Sequence, residues 1–323
     1  MSGEGEFGYI RRRLAPLASG YTGAFNLTDD AAVLAVPVGC ELVVTSDTLI
    51  EGVHFLPGDP PETVAVKALR VSLSDLAAMG AEPHAAMLSI SWPRDGSTDL
   101  RDRFTDGLAE ELSVRAVPLI GGDTTVTPGP WTITGTLFGS LPAGSAVRRA
   151  GARAGDHVYV TGTIGDAGLG LLSLQGEAGL GAAVERYRIP PVRTALASHL
   201  RGRANAMIDI SDGLAADAGH LSTVSQVALD VTLADLPLSG TARDWVARQD
   251  DPDIARARLA GYGDDYELLF CAPADCHHAI QRAARETGIP ITRIGQVKKG
   301  EGVRLLDGSG APVQIDSAGF THF

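Results

Sequence analysis

Val44-Thr45-Ser46-Asp47-Thr48-Leu49-Ile50-Glu51-Gly52-Val53-His54-Phe55 is the stretch on which the reading of this chain turns. An apolar run over 41–44 leads into three consecutive oxygen-bearing side chains, Thr45, Ser46 and Asp47. A strand that ends in hydroxyls and a carboxylate can present hard oxygen ligands to a metal. A strand end followed by an ordinary Ser- or Asp-capped turn has the same look. The neighbouring segments separate the two.

Upstream, Asp29-Asp30 precedes an apolar run over 31–36 that reads as a strand, and Pro37 and Gly39 turn it back. A hairpin with acids at its ends is expected, behind a short basic amphipathic helix from Phe7 to Ala18. Downstream, Pro60-Pro61-Glu62 opens a helical pattern that runs to Met79 and stops at Gly80. One face of it reads Val64, Ala68, Val71, Asp75, Met79. An unpaired carboxylate in an apolar stripe is costly to bury, so a positive charge is expected against Asp75. Strand patterns over 85–92, 118–121 and 131–140 alternate with a helix over 100–114, in the α/β manner. The 118–121 strand runs into Gly122-Asp123-Thr124-Thr125, where glycine lets backbone approach a phosphate and Asp-Thr-Thr offers a metal ligand and hydroxyl donors.

Over 142–155 the composition turns small and basic, with Arg148, Arg149 and Arg153. This marks the expected boundary between an N-terminal domain, 1–142, and a C-terminal domain, 143–323. An arginine here suits a triphosphate, and a solvated linker would have the same composition. A strand over 156–161 is followed by Gly162, Gly165, Gly168 and Gly170, whose spacing does not fit GxGxxG. Helical patterns over 180–187 and 192–201 lead to Ala206-Met207-Ile208-Asp209-Ile210-Ser211-Asp212-Gly213. Strand alternation puts Asp209 and Ser211 opposite Ile208 and Ile210, while Asp212 stands where a helix to about 224 begins. Further on, Gly261-Tyr262-Gly263-Asp264-Asp265-Tyr266-Glu267 leads into a strand over 268–271. The helix over 273–287 carries Cys276-His277-His278, whose adjacent positions point around a helix and do not converge.

The 323 residues suit two domains, mixed α/β and α+β, with room for a sizeable core. A net charge of −12 argues against a nucleic-acid or anionic-membrane surface, and an anionic ligand would need bridging cations. Cys40, Cys271 and Cys276 form no CxxC pair and no disulfide framework, which fits a reducing cytoplasm. No signal-peptide core and no long apolar run is visible, so a soluble protein is expected.

Asp30, Asp47, Asp75, Asp123, Asp209 and Asp212 each stand at an element end or on an apolar face. Two carboxylates about 4 Å apart repel by roughly 4 kcal/mol at an effective dielectric near 20, so such a set can share a site only around cations. Aspartates with Ser and Thr oxygens favour Mg2+ over zinc, and Mg2+ usually shares its ligands with phosphates. No GxxxxGK[ST], HRD or DFG motif is present, so a nucleotide would be held in another manner.

Taken together, Asp29-Asp30-Ala31, Thr45-Ser46-Asp47-Thr48, Gly52-Val53-His54-Phe55, Leu73-Ser74-Asp75-Leu76-Ala77-Ala78-Met79-Gly80-Ala81, Gly121-Gly122-Asp123-Thr124-Thr125 and Asp209-Ile210-Ser211-Asp212-Gly213-Leu214 resemble the thiamine-monophosphate kinases. These share a superfamily with aminoimidazole ribonucleotide synthetase and selenophosphate synthetase. The resemblance implies an N-terminal α/β domain that dimerises through its sheet, a C-terminal α+β domain, and ATP with several Mg2+ ions between them. It implies that Asp30, Thr45, Ser46, Asp47, Asp75, Asp123, Asp209 and Asp212 hold magnesium, that Gly122, Arg149 and Ser211 contact the nucleotide, and that His54, Asp264 and Phe320 face thiamine monophosphate. Thr28 stands where the family usually has Gly, and Asp264 where it has Glu.

The implied reaction is in-line transfer of the ATP γ-phosphoryl group to thiamine monophosphate in the cytoplasm, giving thiamine diphosphate and ADP. It needs no general base, because a phosphate monoester with a second pKa of about 6 is largely dianionic at neutral pH. The alternatives are another ATP-using synthetase of the superfamily, or a non-catalytic Mg-nucleotide binding protein.

Overall fold

A computed structural model describes residues 5–314 and Gly319. The chain divides into two compact units, one formed by Met1–Leu76 with Glu82–Gly144 and the other by Ala77–Ala81 with Ser145–Phe323.

The first unit is built on β1 (Cys40–Ile50), β2 (Glu82–Pro93), β3 (Leu119–Thr127) and β4 (Thr132–Pro142), in the order β1-β4-β2-β3. The β1·β4 and β2·β4 pairs are antiparallel and β2·β3 is parallel. One face packs the helices Pro61–Ala78 and Thr98–Arg115. A Cβ on Gly135 of β4 would lie 3.2 Å from the Ala68 carbonyl oxygen and 3.5 Å from Ser72 Oγ of the first helix, and Phe104 of the second meets Trp92 edge-on. Phe55, Trp131, Trp92 and Phe104 form a buried aromatic cluster with ring centroids 5.4–5.5 Å apart.

Two expectations for this unit need correction. Residues 31–36 form no strand, and β1 takes β4 as its partner, so there is no hairpin between them. The reason is that Ala32 and Leu34 pack beside Ala18 and Ala24, leaving Val33 largely exposed with its N–H on the Gly23 carbonyl. The second concerns 118–121. Strand β3 runs on to Thr127, so Gly122 and Asp123 lie inside it. Gly122 has φ +147, and a Cβ there would fall 1.8 Å from the Leu88 carbonyl oxygen; close approach of β2 explains this glycine.

The second unit carries β5 (His157–Thr161), β6 (Ala206–Asp209), β7 (Ala228–Thr232), β8 (Leu268–Ala272), β9 (Ile291–Lys298) and β10 (Gly302–Leu306), in the order β10-β7-β9-β5-β8-β6. β6 and β8 are short and wholly buried, apolar throughout except for Asp209 at the end of β6. The helix Leu214–Ser225 packs Leu214, Ala218 and Leu221 into the same core as Ile208 and Leu269. The helices Asp166–Leu174, Gly240–Ala247, Pro252–Ala260 and His277–Thr287 also belong to this unit. Ala77 and Ala78 belong to its core with Val147 and Leu200, and Met79 accepts the Val147 N–H. Among the described residues no helix is long and apolar enough to cross a membrane.

Candidate functional site

In the first unit, the pleat of β1 turns Thr45 and Asp47 toward the Pro61–Ala78 helix. There Thr45 Oγ1 donates to Asp75 Oδ2, and Ser72 Oγ donates to Asp47 Oδ2 at 2.6 Å. Burial, and then the charge of Asp75, push the Asp47 carboxyl above the usual carboxylate range, against the pull of the Ser72 hydroxyl. Asp75 thus meets a hydroxyl and a second carboxylate, where a cationic side chain was expected. A half-buried carboxylate pair flanked by hydroxyls is a hard-oxygen donor set whose repulsion a divalent ion relieves. The residues fit Mg2+.

The other metal-site candidates of this unit stand apart. Ser46 points to the opposite face of β1, with its Oγ 3.0 Å from Thr136 Oγ1. Asp30 is exposed in a bend after the Thr22–Leu27 helical turn. Asp123 is exposed on β3 and its Oδ1 accepts the Thr124 N–H at 2.9 Å, while Thr124 Oγ1 accepts from the buried Trp92 indole at 2.8 Å. Across the sheet Asp47 is level with Gly135, Leu88 and Gly122, so Asp47 and Asp123 occupy opposite edge strands. Three steps of about 4.8 Å separate those strands, wider than one ion spans.

His54 lies in the turn after β1. Its Nδ1 accepts the Ile50 N–H at 3.0 Å, and its carbonyl accepts from Lys67 Nζ at 2.9 Å. Lys67 is only 2% exposed, so a buried ammonium braces the turn.

In the second unit, Asp209 is buried at the end of β6, and Ser211 and Asp212 follow in a loop. The loop's shape comes from Asp217, whose Oδ2 accepts the N–H groups of Ser211, Asp212 and Gly213 at 3.0, 3.0 and 3.2 Å. Burial, and then the neighbouring Asp212, lift Asp217 to about 7. With those N–H groups occupied, Ser211 offers a ligand its hydroxyl. Asp212, Asp217 and His220 bring one ligand atom each within 4.8 Å of one another. Asp264 sits at φ +67, and its N–H donates to the Ser211 carbonyl at 2.8 Å, so two candidate segments meet here. Arg149 is exposed, with its carbonyl accepting from Ser225 Oγ at 3.1 Å. Phe320 lies outside the described residues.

Sequence reasoning missed Ser72, Lys67, Asp217, Asp265 and Glu267. The signal that singled out Asp75 was present for two of them. Lys67 adjoins the buried stripe Val64, Ala68, Val71, and Asp217 falls within Leu214, Ala218, Leu221. Each is a charge where helical periodicity demands an apolar residue.

Comparison with known proteins covers both units. Residues 28–141 match the family model of the AIR synthase related protein N-terminal domain, and 153–308 that of its C-terminal domain. The chain is 42% identical over 300 residues to the thiamine-monophosphate kinase of Caulobacter vibrioides, covering 92% of this chain and 85% of that one. It is 38% identical to that of Escherichia coli K12, covering 99% and 98%. A solved structure, AaThiL complexed with AMPPCP and TMP, superposes with a TM-score of 0.75 at 32% identity, covering 100% of this chain and 98% of that one.

Proposed function

Because the chain belongs to the thiamine-monophosphate kinase family, we propose that it transfers the γ-phosphoryl group of ATP to thiamine monophosphate, forming thiamine diphosphate and ADP. The observation that carries this reading to particular residues is the Asp47–Asp75 pair, two carboxylates held close with hydroxyl donors beside them. In the first unit Asp47, Asp75 and Thr45 would hold Mg2+, and in the second Asp209 and Asp212 would; Asp30 and Asp123 are assigned to further Mg2+ contacts, and Ser46, turned to the opposite face of β1, is left out of the Asp47–Asp75 set. Bound there, it would neutralise the phosphate charge and fix the oxygens for in-line displacement.

The side chains have the remaining tasks. Ser211 and Arg149 hold the triphosphate, and Gly122 is assigned to the nucleotide through its backbone. His54 and Asp264 orient the acceptor, with Phe320 assigned to the same group. A carboxylate beside the permanently cationic thiazolium is favourable, and the shorter Asp264 still supplies that charge. No side chain is needed as a base, since the acceptor phosphate is already anionic.

We place the reaction in the cytoplasm and the enzyme in a homodimer with two domains, 1–142 and 143–323. The edges of the first unit's sheet support the dimer. Among the described residues β1 and β3 are the long outer strands of the sheet, and Leu42, Val44 and Val126 on them are at least 40% exposed. Setting β1 of one copy beside β3 of a second covers both edges. It also brings an Asp123 to the Asp47 edge, which a single copy cannot do.

The test is acceptor choice. With Mg-ATP, thiamine monophosphate should be consumed and thiamine left untouched; phosphorylation of thiamine, or of neither, would overturn the reading.

A further inference from the structure

The segment that carries Asp264 is backed by two fully buried acids. Asp265 is 0% exposed and accepts the N–H groups of Gly165 and Ala167 at 2.6 and 3.3 Å, where the helix Asp166–Leu174 begins. Glu267, also 0% exposed, accepts a fork from Arg193 at 2.6 Å, Arg186 at 2.9 Å and the Thr161 hydroxyl at 2.6 Å. A Cβ on Gly162, at φ +58, would fall 1.9 Å from the Glu267 carboxylate. Next to these anchors Asp264 and Tyr266 both adopt positive φ, +67 and +49. For non-glycine residues that conformation persists only where the surroundings over-determine it.

The same segment is sewn to the loop of Ser211 and Asp212. Ile210 N–H donates to the Glu267 carbonyl, Tyr266 N–H to the Ile210 carbonyl and Asp264 N–H to the Ser211 carbonyl, each at 2.8 Å. Glycines make the seam possible: a Cβ on Gly263 would lie 2.6 Å from the Ser211 oxygen, and one on Gly213 would lie 2.9 Å from the Gly261 carbonyl. On the far side of the loop, Asp217 takes its three N–H groups.

We infer that Asp217, Asp265 and Glu267 are positioning residues that weld the 211–213 loop and the 261–266 segment into one body, so that the Mg2+-nucleotide site at Ser211 and Asp212 and the acceptor site at Asp264 are energetically coupled. The inference rests on the functional reading above for the roles of Ser211, Asp212 and Asp264. Asp217 and Asp265 face inward and hold backbone, Glu267 holds Thr161, Arg186 and Arg193, and Asp212 and Asp264 remain half-exposed for ligands. Displacing the seam moves both sites at once, and by linkage each ligand then shifts the other's affinity by the same factor.

Gly263→Ala tests this, because it crowds the seam without altering any proposed ligand-binding side chain. The readouts are the MgCl2 concentration for half-maximal rate at fixed ATP, the KM for thiamine monophosphate, and the melting temperature. Both kinetic constants should rise, each by about fivefold or more, corresponding to the lower end of ordinary coupling energies. A rise in one constant alone, or a lower melting temperature with neither moved, would overturn the coupling. Should Gly263→Ala fail to fold, Glu267→Gln gives the same reading from the other end of the segment. A wild-type chain inactive on thiamine monophosphate would defeat the functional reading and this inference together. An active wild type whose variants shift only one constant defeats the inference alone.

Discussion

Ser72 Oγ donates to Asp47 Oδ2 at 2.6 Å, so a helix hydroxyl holds one member of a carboxylate pair whose other member, Asp75, lies one helical turn further along. Asp47 is pushed up by burial and then by Asp75. Replacing either carboxylate relieves repulsion in the metal-free protein and removes a metal ligand. Asp75→Asn should leave the metal-free melting temperature unchanged or higher, abolish its rise on adding MgCl2, and lower kcat by about 100-fold or more, as loss of metal charge stabilisation does. Thermal melts with and without MgCl2, beside kinase assays, check it.

Asp47 and Asp123 occupy opposite edge strands. If a second copy supplies the missing edge, Asp47→Asn and Asp123→Asn chains should each be inactive alone and regain activity when mixed after unfolding and refolding together. Random pairing would leave one intact site in each mixed dimer, so roughly a quarter of wild-type activity should return. No recovery would overturn a site shared between copies.

Lys67 Nζ reaches the carbonyl of His54 from inside the unit. His54→Ala should raise the KM for thiamine monophosphate about tenfold, on the order of a lost hydrogen bond to a charged group, with little change for ATP. Lys67→Met should raise the same constant through the turn. Steady-state kinetics with each substrate varied would show the split, and equal effects on both would remove His54 from the acceptor site.

Burial lifts Asp265 to about 8 from 3.8, against the pull of the Gly165 N–H. A raised folded-state pKa means the folded protein keeps a proton that the unfolded chain has lost. The stability from this group is therefore complete below about pH 4 and is lost as pH rises through about 8. Asp265→Asn stays neutral throughout. The wild type's advantage over Asp265→Asn in urea unfolding should shrink from pH 5 to pH 9, by at most about 1.4 kcal/mol per pH unit within the window. An advantage that grows with pH would contradict the assignment.

What could be read from the residues followed the strength of local patterning. The Pro61–Ala78 helix was visible because proline opens it, Gly80 follows it and its apolar stripe is regular. Asp75 stood out because it broke that stripe. The 31–36 run misled because Ala, Val and Leu in sequence look the same whether they pair as a strand or cover a small cluster, and pairing is decided by distant β4. Ser46 and Thr45 could not be separated by type, since which face each took depended on the register with β4. The anchors Asp265 and Glu267 were hidden for a related reason: their partners, Gly165, Arg186 and Arg193, are about 70–100 residues away in sequence.

The most direct measurement follows both products of one reaction. With Mg-ATP and thiamine monophosphate, chromatography should show thiamine diphosphate and ADP appearing one for one, and neither forming when Mg2+ is chelated. ADP without thiamine diphosphate, or ATP binding with no turnover, would contradict the account.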